Sequence, residues 1–348
     1  MSAVRDGADA FGQVEKPTTR ASARQVGAND AAPTYSIIVP VYGNEAGISR
    51  LTTTLSALAE QLDAPCEVVF VVDGSPDRSL ETLLAHGPSM SCSVKIVEHS
   101  RNFGSFPAIR TGLSCASGQF MGVIAADLQE PPELLTSFFS LLSSGQADVV
   151  VGRRTSRNDP TASAAGSRLY WALYRKLVNP DLPPGGVDVF GLNRKTAEHL
   201  LDLNESASSL IGQLYWMGFR RLEVPYTRQA RLEGKSGWTL RKKFRYLADS
   251  IYAFTDLPIR LLTMVGTLGL VGSFVAAVIV FTAWINGRIE VSGYTPLMLV
   301  LLACTFLLVL GLGVVGSYVA RTYENTKNRP ISVVSGQTEF PGGGRAGA

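Results

Sequence analysis

From Tyr35 onward, short runs of apolar, β-branched residues alternate with longer stretches whose apolar positions recur at helical spacing. YSIIVPV, CEVVFVVD, Ser93 to Glu98, the run that opens at Phe120, and ADVVVG have the length and composition of buried strands. Between them, Ile48 to Leu62, Phe106 to Ala116 and Leu134 to Leu142 have the pattern of helices. Strands with no polar face, separated by helices, predict an α/β fold with a mostly parallel sheet covered on both sides. That is a nucleotide-binding type of architecture, although architecture alone assigns no activity.

Beyond Arg153 the pattern is less regular. Ser167 to Val178 sets Leu169, Trp171, Leu173 and Leu177 among Arg168, Arg175 and Lys176, as a helix lying on an apolar surface would. NPDLPPGGVDVF is a turn-rich loop that delivers one acid, Asp188, either to solvent or into a cleft. The run RQARLEGKSGWTLRKKFR is strongly basic, and Leu240 to Phe254 places Leu240, Phe244, Leu247, Ile251 and Phe254 on one stripe, which predicts an amphipathic helix in a membrane interface. Next come Leu261 to Ile285 and Leu297 to Ala320, each about 24 residues without a charge, long enough to span a bilayer.

Arg241, Lys242, Lys243, Arg245, Arg260, Arg321, Lys327 and Arg329 flank the outer ends of that pair, whereas the short turn between has only Arg288 and Glu290. The positive-inside rule therefore predicts a multi-pass protein of the cell (inner) membrane, with both ends cytoplasmic. Gly269 with Ser273, and Gly313 with Ser317, have the small-xxx-small spacing that lets helices pack, within the hairpin or in a homo-oligomer. The segments expected are a disordered tail over 1–33, a catalytic domain over 34–239, a juxtamembrane helix over 240–258, a transmembrane hairpin over 259–321 and a cytoplasmic tail over 322–348. The first of these has no apolar core and is not a signal peptide.

Composition narrows the chemistry. A formal charge of +3 does not argue for nucleic acid as a partner. Cys66, Cys92, Cys115 and Cys304 form no CxxC pair, and His86, His99 and His199 are scattered, so a zinc centre is not expected. The stretch FMGVIAADLQEPPEL is different: a buried strand runs into Asp127, Gln129 and Glu130 and is stopped by two prolines. Oxygen ligands at the carboxyl end of such a strand suit a hard divalent cation and a phosphate. On spacing alone an acidic strand-to-helix turn fits equally well.

VPVYGNE (Val39 to Glu45), VVDGSPDRS (Val71 to Ser79), SRNFG (Ser100 to Gly104), ADLQEPPE (Ala126 to Glu133) and RLEGKSGW (Arg231 to Trp238), followed by two apolar helices, resemble the GT-A inverting glycosyltransferases of family 2. More narrowly they are similar to the polyprenyl-phosphate glycosyltransferases, which include dolichol-phosphate mannose synthase and the bacterial undecaprenyl-phosphate sugar transferases. The resemblance covers Tyr35 to Arg321. It implies transfer of a sugar from a nucleotide-sugar donor to a polyprenyl phosphate held among membrane lipids, for cell-envelope or surface glycans.

By that resemblance Pro40, Tyr42 and Glu45 line the nucleotide pocket, Asp73 faces base or ribose, and Arg101 approaches the donor. Asp127 and Gln129 hold a divalent cation, Mg²⁺ or Mn²⁺, on the diphosphate. Asp188 lies near the reacting centre, and Arg231, Lys235 and Ser236 close over phosphates. Val72 and Ala125 stand where the family usually has acids, which leaves the base and the metal open. Two other readings are a degenerate transferase that binds without turnover and a processive synthase; the QxxRW of the latter is absent, since Leu, Tyr and Trp follow Gln213.

Overall fold

The computed structural model describes residues 33–156, 172, 174–176, 179–183, 186–203, 205, 208–229, 240–255, 257–286, 294–327 and 329–342, and leaves out the side chains of 240–246 and of scattered positions in the last two helices. The strands are β1 (Tyr35–Val41), β2 (Cys66–Val72), β3 (Ser93–His99), β4 (Phe120–Val123), β5 (Val149–Ser156), β6 (Phe190–Asn193), β7 (Arg221–Thr227) and β8 (Val334–Phe340). The helices are α1 (Ile48–Gln61), α2 (Ser79–His86), α3 (Ser105–Cys115), α4 (Glu133–Ser143), α5 (Arg194–Asp202), α6 (Leu210–Trp216), α7 (Leu240–Phe254), α8 (Leu257–Ile285) and α9 (Tyr294–Thr326).

All eight strands share one sheet, in the order β7-β5-β6-β4-β1-β2-β3-β8. β1 pairs in parallel with β2 and β4, β2 with β3, and β5 with β7, whereas β6 runs against both β4 and β5, and β8 against β3. The sheet is mixed but mostly parallel. β1 and β2 are covered on both faces and are apolar but for Ser36 and Glu67, whose side chains bond to each other at 2.6 Å. Ile37, Val39, Val68 and Phe70 join one cluster with Leu51, Leu55, Leu83 and Phe138 of α1, α2 and α4. Ile38, Val69 and Val71 join the other with Leu113, Leu200, Leu214 and Leu247 of α3, α5, α6 and α7. Each such fully buried side chain contributes about 1.5–3 kcal/mol.

Two segments differ from what the sequence pattern suggests. The described part of the α7 stripe faces the protein: Leu247 is buried, Ile251 packs on the second cluster, and the Phe254 ring lies where Gly212 has no side chain. A Cβ at Gly212 would come within 2.3 Å of Phe254 Cε2. The interfacial stripe thus serves, in this half, to dock the helix on the catalytic core. Arg321 of α9 ties down the polar side of α7, donating to Asp249 at 2.8 Å and lying 4.8 Å from the Tyr252 ring centroid.

The second difference lies at the C-terminus, where part of the expected tail is β8. VSGQTEF alternates weakly and is half exposed, as an edge strand is, so it carries little of the signal that marks a buried one. Among the described residues no helix is long and apolar enough to cross a membrane. α8 and α9 are nevertheless continuous helices of 29 and 33 residues.

α3 reaches β1 through Gly112, where a Cβ would lie 2.3 Å from Cγ2 of Ile38, a β-branched side chain fixed in the central strand. Alanine raises helix propensity by up to about 1 kcal/mol, but overpacking a rigid core costs about 1–3 kcal/mol. Gly112→Ala should therefore lower the midpoint of urea unfolding in detergent. A raised midpoint would show that α3 can stand off the sheet.

Candidate active site

Because β6 runs against β4 and β5 runs against β6, β5 is parallel to β4. The carboxyl ends of β1, β2, β3, β4, β5 and β7 then lie along one edge, together with the start of β6. In open α/β sheets ligands bind at that edge, beside the point where strand order reverses, here between β4 and β2 around β1. The edge gathers Tyr42 after β1, Asp73 after β2, Arg101 after β3, Asp127 and Gln129 after β4, and Asp188 before β6. Pro40 falls where β4 has already left the ladder, so its missing N–H breaks no pairing to that strand.

The loops after β1 and β2 brace each other. Asp77 accepts from the Ser75 and Ser79 hydroxyls at 2.6 Å and from the Glu45 amide at 3.0 Å. Glu45 in return accepts from the Arg78 amide at 3.2 Å. Burial works against the charge on Asp77, yet these bonds hold its carboxyl down at about 2. Tyr42 stands free above them, 55% exposed. Glu45 thus links loops at the pocket rim.

Asp73 is buried. Its Oδ1 accepts from His99 Nδ1 and the Phe103 amide, each at 2.8 Å, and its Oδ2 from the Gly104 amide at 2.7 Å. The carboxylate fastens the 101–104 loop, which leads into α3, to the end of β2. Gly74 permits this approach: its φ is +56°, and a Cβ there would meet the Arg101 backbone at 2.3 Å. Arg101 projects outward with its guanidinium 4.0 Å from the Phe103 ring centroid.

Past β4 the chain turns through Leu128, whose φ of +51° is a left-handed conformation costing a branched residue about 1 kcal/mol. Strain of this kind collects where side chains must be aimed. Asp127 is half-buried; Oε1 of Gln129 accepts from Arg228 Nη2 at 2.6 Å. Glu130 is wholly buried, and Arg228 Nε lies 3.2 Å from its Oε1 without the alignment of a hydrogen bond. Burial first, and then the charges of Asp188 and Asp127 against those of Arg228 and Arg154, push the Glu130 carboxyl up to about 7.

Asp188 is held from two sides: by the Arg154 guanidinium, and by the Tyr226 hydroxyl, which donates at 3.3 Å. Tyr226 in turn packs over Gly152. Three carboxylates, Asp127, Glu130 and Asp188, thus face two guanidinium groups, Arg154 and Arg228. Arg154, Tyr226 and Arg228 were not singled out from sequence as site residues, and Glu130 entered only as one of the three oxygen-bearing residues that follow β4. The strand-end rule applied to ADVVVG would have reached Arg154, but no local signal marks Tyr226. Arg231, Lys235 and Ser236 lie outside the described residues.

For a metal, the donor set is narrow: among the described residues no group of three His, Cys, Asp or Glu side chains converges as a metal cluster would. Asp127 is the anionic ligand at hand, and the Gln129 amide oxygen is engaged by Arg228. Such a set fits a cation that takes most of its oxygens from a diphosphate and water, as Mg²⁺ does.

Arg228→Ala leaves Glu130 buried without its closest cation, at a cost of about 3 kcal/mol, the low end for halving a buried pair. Adding Glu130→Gln should recover most of that loss in a double-mutant cycle read by urea midpoints. Additive losses would show that the two side chains do not interact.

The family model for glycosyl transferase family 2 matches residues 36–201. The chain is 33% identical over 301 residues to the Uncharacterized glycosyltransferase YkcC of Bacillus subtilis (strain 168), covering 86% of this chain and 93% of that one. It is 29% identical over 301 residues to the Prophage bactoprenol glucosyl transferase homolog of Escherichia coli (strain K12), with 86% and 97% covered. It is 28% identical over 312 residues to the Bactoprenol glucosyl transferase of Shigella phage SfV, with 87% and 99% covered. The mixed, mostly parallel sheet is that of a GT-A-like domain, and the protein is a glycosyltransferase belonging to glycosyl transferase family 2.

Proposed function

We propose that the protein transfers a sugar, with inversion, from a nucleotide-sugar donor to a polyprenyl phosphate held in the cell membrane. The observation that carries this reading is the docking of α7 on the domain that gathers the site, with two long helices following it directly. A water-soluble donor and an acceptor anchored by its tail can meet only where a catalytic domain is held against a bilayer. Two relatives named for bactoprenol, aligned over nearly their whole length, support a polyprenyl acceptor and make glucose the first sugar to try.

In this reading α8 and α9 cross the membrane through 261–285 and 297–320. The acceptor phosphate monoester, with a second pKa near 6, is already largely a dianion at neutral pH and needs no strong base. Its oxygen attacks the anomeric carbon from the face opposite the diphosphate, the bond to the diphosphate oxygen breaks, and nucleoside diphosphate leaves. Asp188, clamped by Arg154 and Tyr226, orients the acceptor and offsets positive charge on the sugar ring. Asp127, with Gln129 released from Arg228, would hold the divalent cation, which neutralises the departing diphosphate. Arg231, Lys235 and Ser236 close on the phosphates, and Tyr42 and Arg101 flank the nucleotide.

The direct test is purified protein in lipid with undecaprenyl phosphate and a panel of nucleotide sugars, scored for lipid-linked monosaccharide; no product with any donor overturns the reading. Asp127→Asn should lower turnover by about two to three decades, as does loss of one strong charge partner in the transition state. Full activity in chelator would remove the metal from the scheme.

Topology gives an independent check. Ser292→Cys, in the segment joining α8 to α9 and with Cys304 replaced, should react with an impermeant thiol reagent added outside intact cells. Protection from the reagent would count against a two-span hairpin.

A further inference from the structure

The segment that follows α9 returns to the catalytic sheet and enters it beside the 101–104 loop. Val334–Phe340 pairs along β3, but the ladder slips between Glu98 and His99, where Val334 pairs with His99 and Ser335 is left over. The bulge lies in β8, and His99, on the same face of β3 as Val97, points inward by ordinary alternation. Just before the bulge, the Val333 carbonyl accepts from the Ser100 amide at 2.9 Å, and Ser332 Oγ lies 2.8 Å from Thr111 Oγ1. Thr111 Oγ1 is 2.9 Å from His99 Nε2, and His99 Nδ1 donates to Asp73.

His99, Thr111 and Asp73 are all buried. With Nδ1 as the donor to the carboxylate, a neutral imidazole leaves Nε2 as an acceptor, which the Thr111 hydroxyl satisfies, and Thr111 oxygen is then satisfied by Ser332. The chain ends at the two amides, Phe103 and Gly104, that Asp73 holds. Every link in it is a buried or half-buried polar contact, where an unsatisfied partner is costly.

We propose that Ser332, Thr111 and His99 are positioning residues for the donor, acting through Asp73 on the 101–104 loop, so that the C-terminal segment is a working part of the site. The proposal rests on the reading of this edge as the nucleotide-sugar pocket. Its first readout does not: hydrogen exchange on the full-length protein in detergent micelles. Ser332→Ala and Thr111→Val should speed exchange at the Phe103 and Gly104 amides roughly fivefold, the effect of losing one hydrogen bond. Exchange in α1 and β1 should not change. Ser335→Ala, which removes only a hydroxyl donating to the Glu98 carbonyl at 3.2 Å, should leave the two amides as they are.

With a donor that supports transfer, the same two variants should raise donor KM several-fold, with kcat and acceptor KM within about twofold, because one hydrogen bond's worth of positioning is lost. Thr111→Ser should restore both measurements. Unchanged exchange at Phe103 and Gly104, or a lowered melting temperature with donor KM unmoved, overturns the proposal. If exchange responds as described while wild-type protein transfers no sugar, the relay stands and the proposed function falls.

Discussion

The arrangement of this protein turns on the reversed strand. β6, only four residues long, sits between β4 and β5 and runs against both, so its beginning lies at the edge where its neighbours end. The loop that feeds it therefore carries Asp188 to the same side as Asp127 and the end of β5. Were β6 parallel, Asp188 would emerge at the opposite edge, a whole strand length away. Gly191 suits this central place: its missing side chain leaves room for Leu142 and Phe138 of α4, which cover the sheet beneath the site.

The charges gathered there are balanced by proximity rather than by count. Asp188 takes Arg154, which is almost fully buried and contacts it directly. Arg228 is shared between the Gln129 amide and the sealed carboxyl of Glu130, whose burial outweighs that nearby cation and pushes it up to about 7. A site so composed is poorly furnished with free anionic oxygens when empty. In the proposed function, a bound diphosphate would add the oxygens that a cation needs and would compete for the guanidinium groups, so that donor, cation and arginines settle together rather than in sequence.

The sheet centre was legible because β1 and β2 are covered on both faces and are apolar at nearly every position, Ser36 and Glu67 being the exceptions. The edges were not: RLEVPYT of β7 and VSGQTEF of β8 face solvent on one side and pair on only one flank, so their composition approaches that of loops. α7 was read correctly as amphipathic, but periodicity does not say which apolar surface a stripe meets. Asp73, Arg101, Asp127, Gln129 and Asp188 could be singled out as candidates because each follows or precedes a recognisable run or motif. Their partners were hidden by distance along the chain: 26 residues separate Asp73 from His99, 34 separate Asp188 from Arg154, and 99 separate Gln129 from Arg228. Contacts of that range belong to topology.

β8 is the last element among the described residues and closes the flank of a strand made more than two hundred residues earlier. During synthesis β3 emerges long before its partner and keeps an open row of backbone donors and acceptors while α7, α8 and α9 are produced. An unpaired strand edge in a partly made protein is a template for association with other chains. Lys95, midway along β3 and bound to Glu67, supplies a charge on that strand in the interval, of the kind that discourages edge-to-edge pairing. The catalytic sheet is thus finished only after both long helices have left the ribosome, and maturation of the sugar-transferring domain is tied to completion of the segment that follows it.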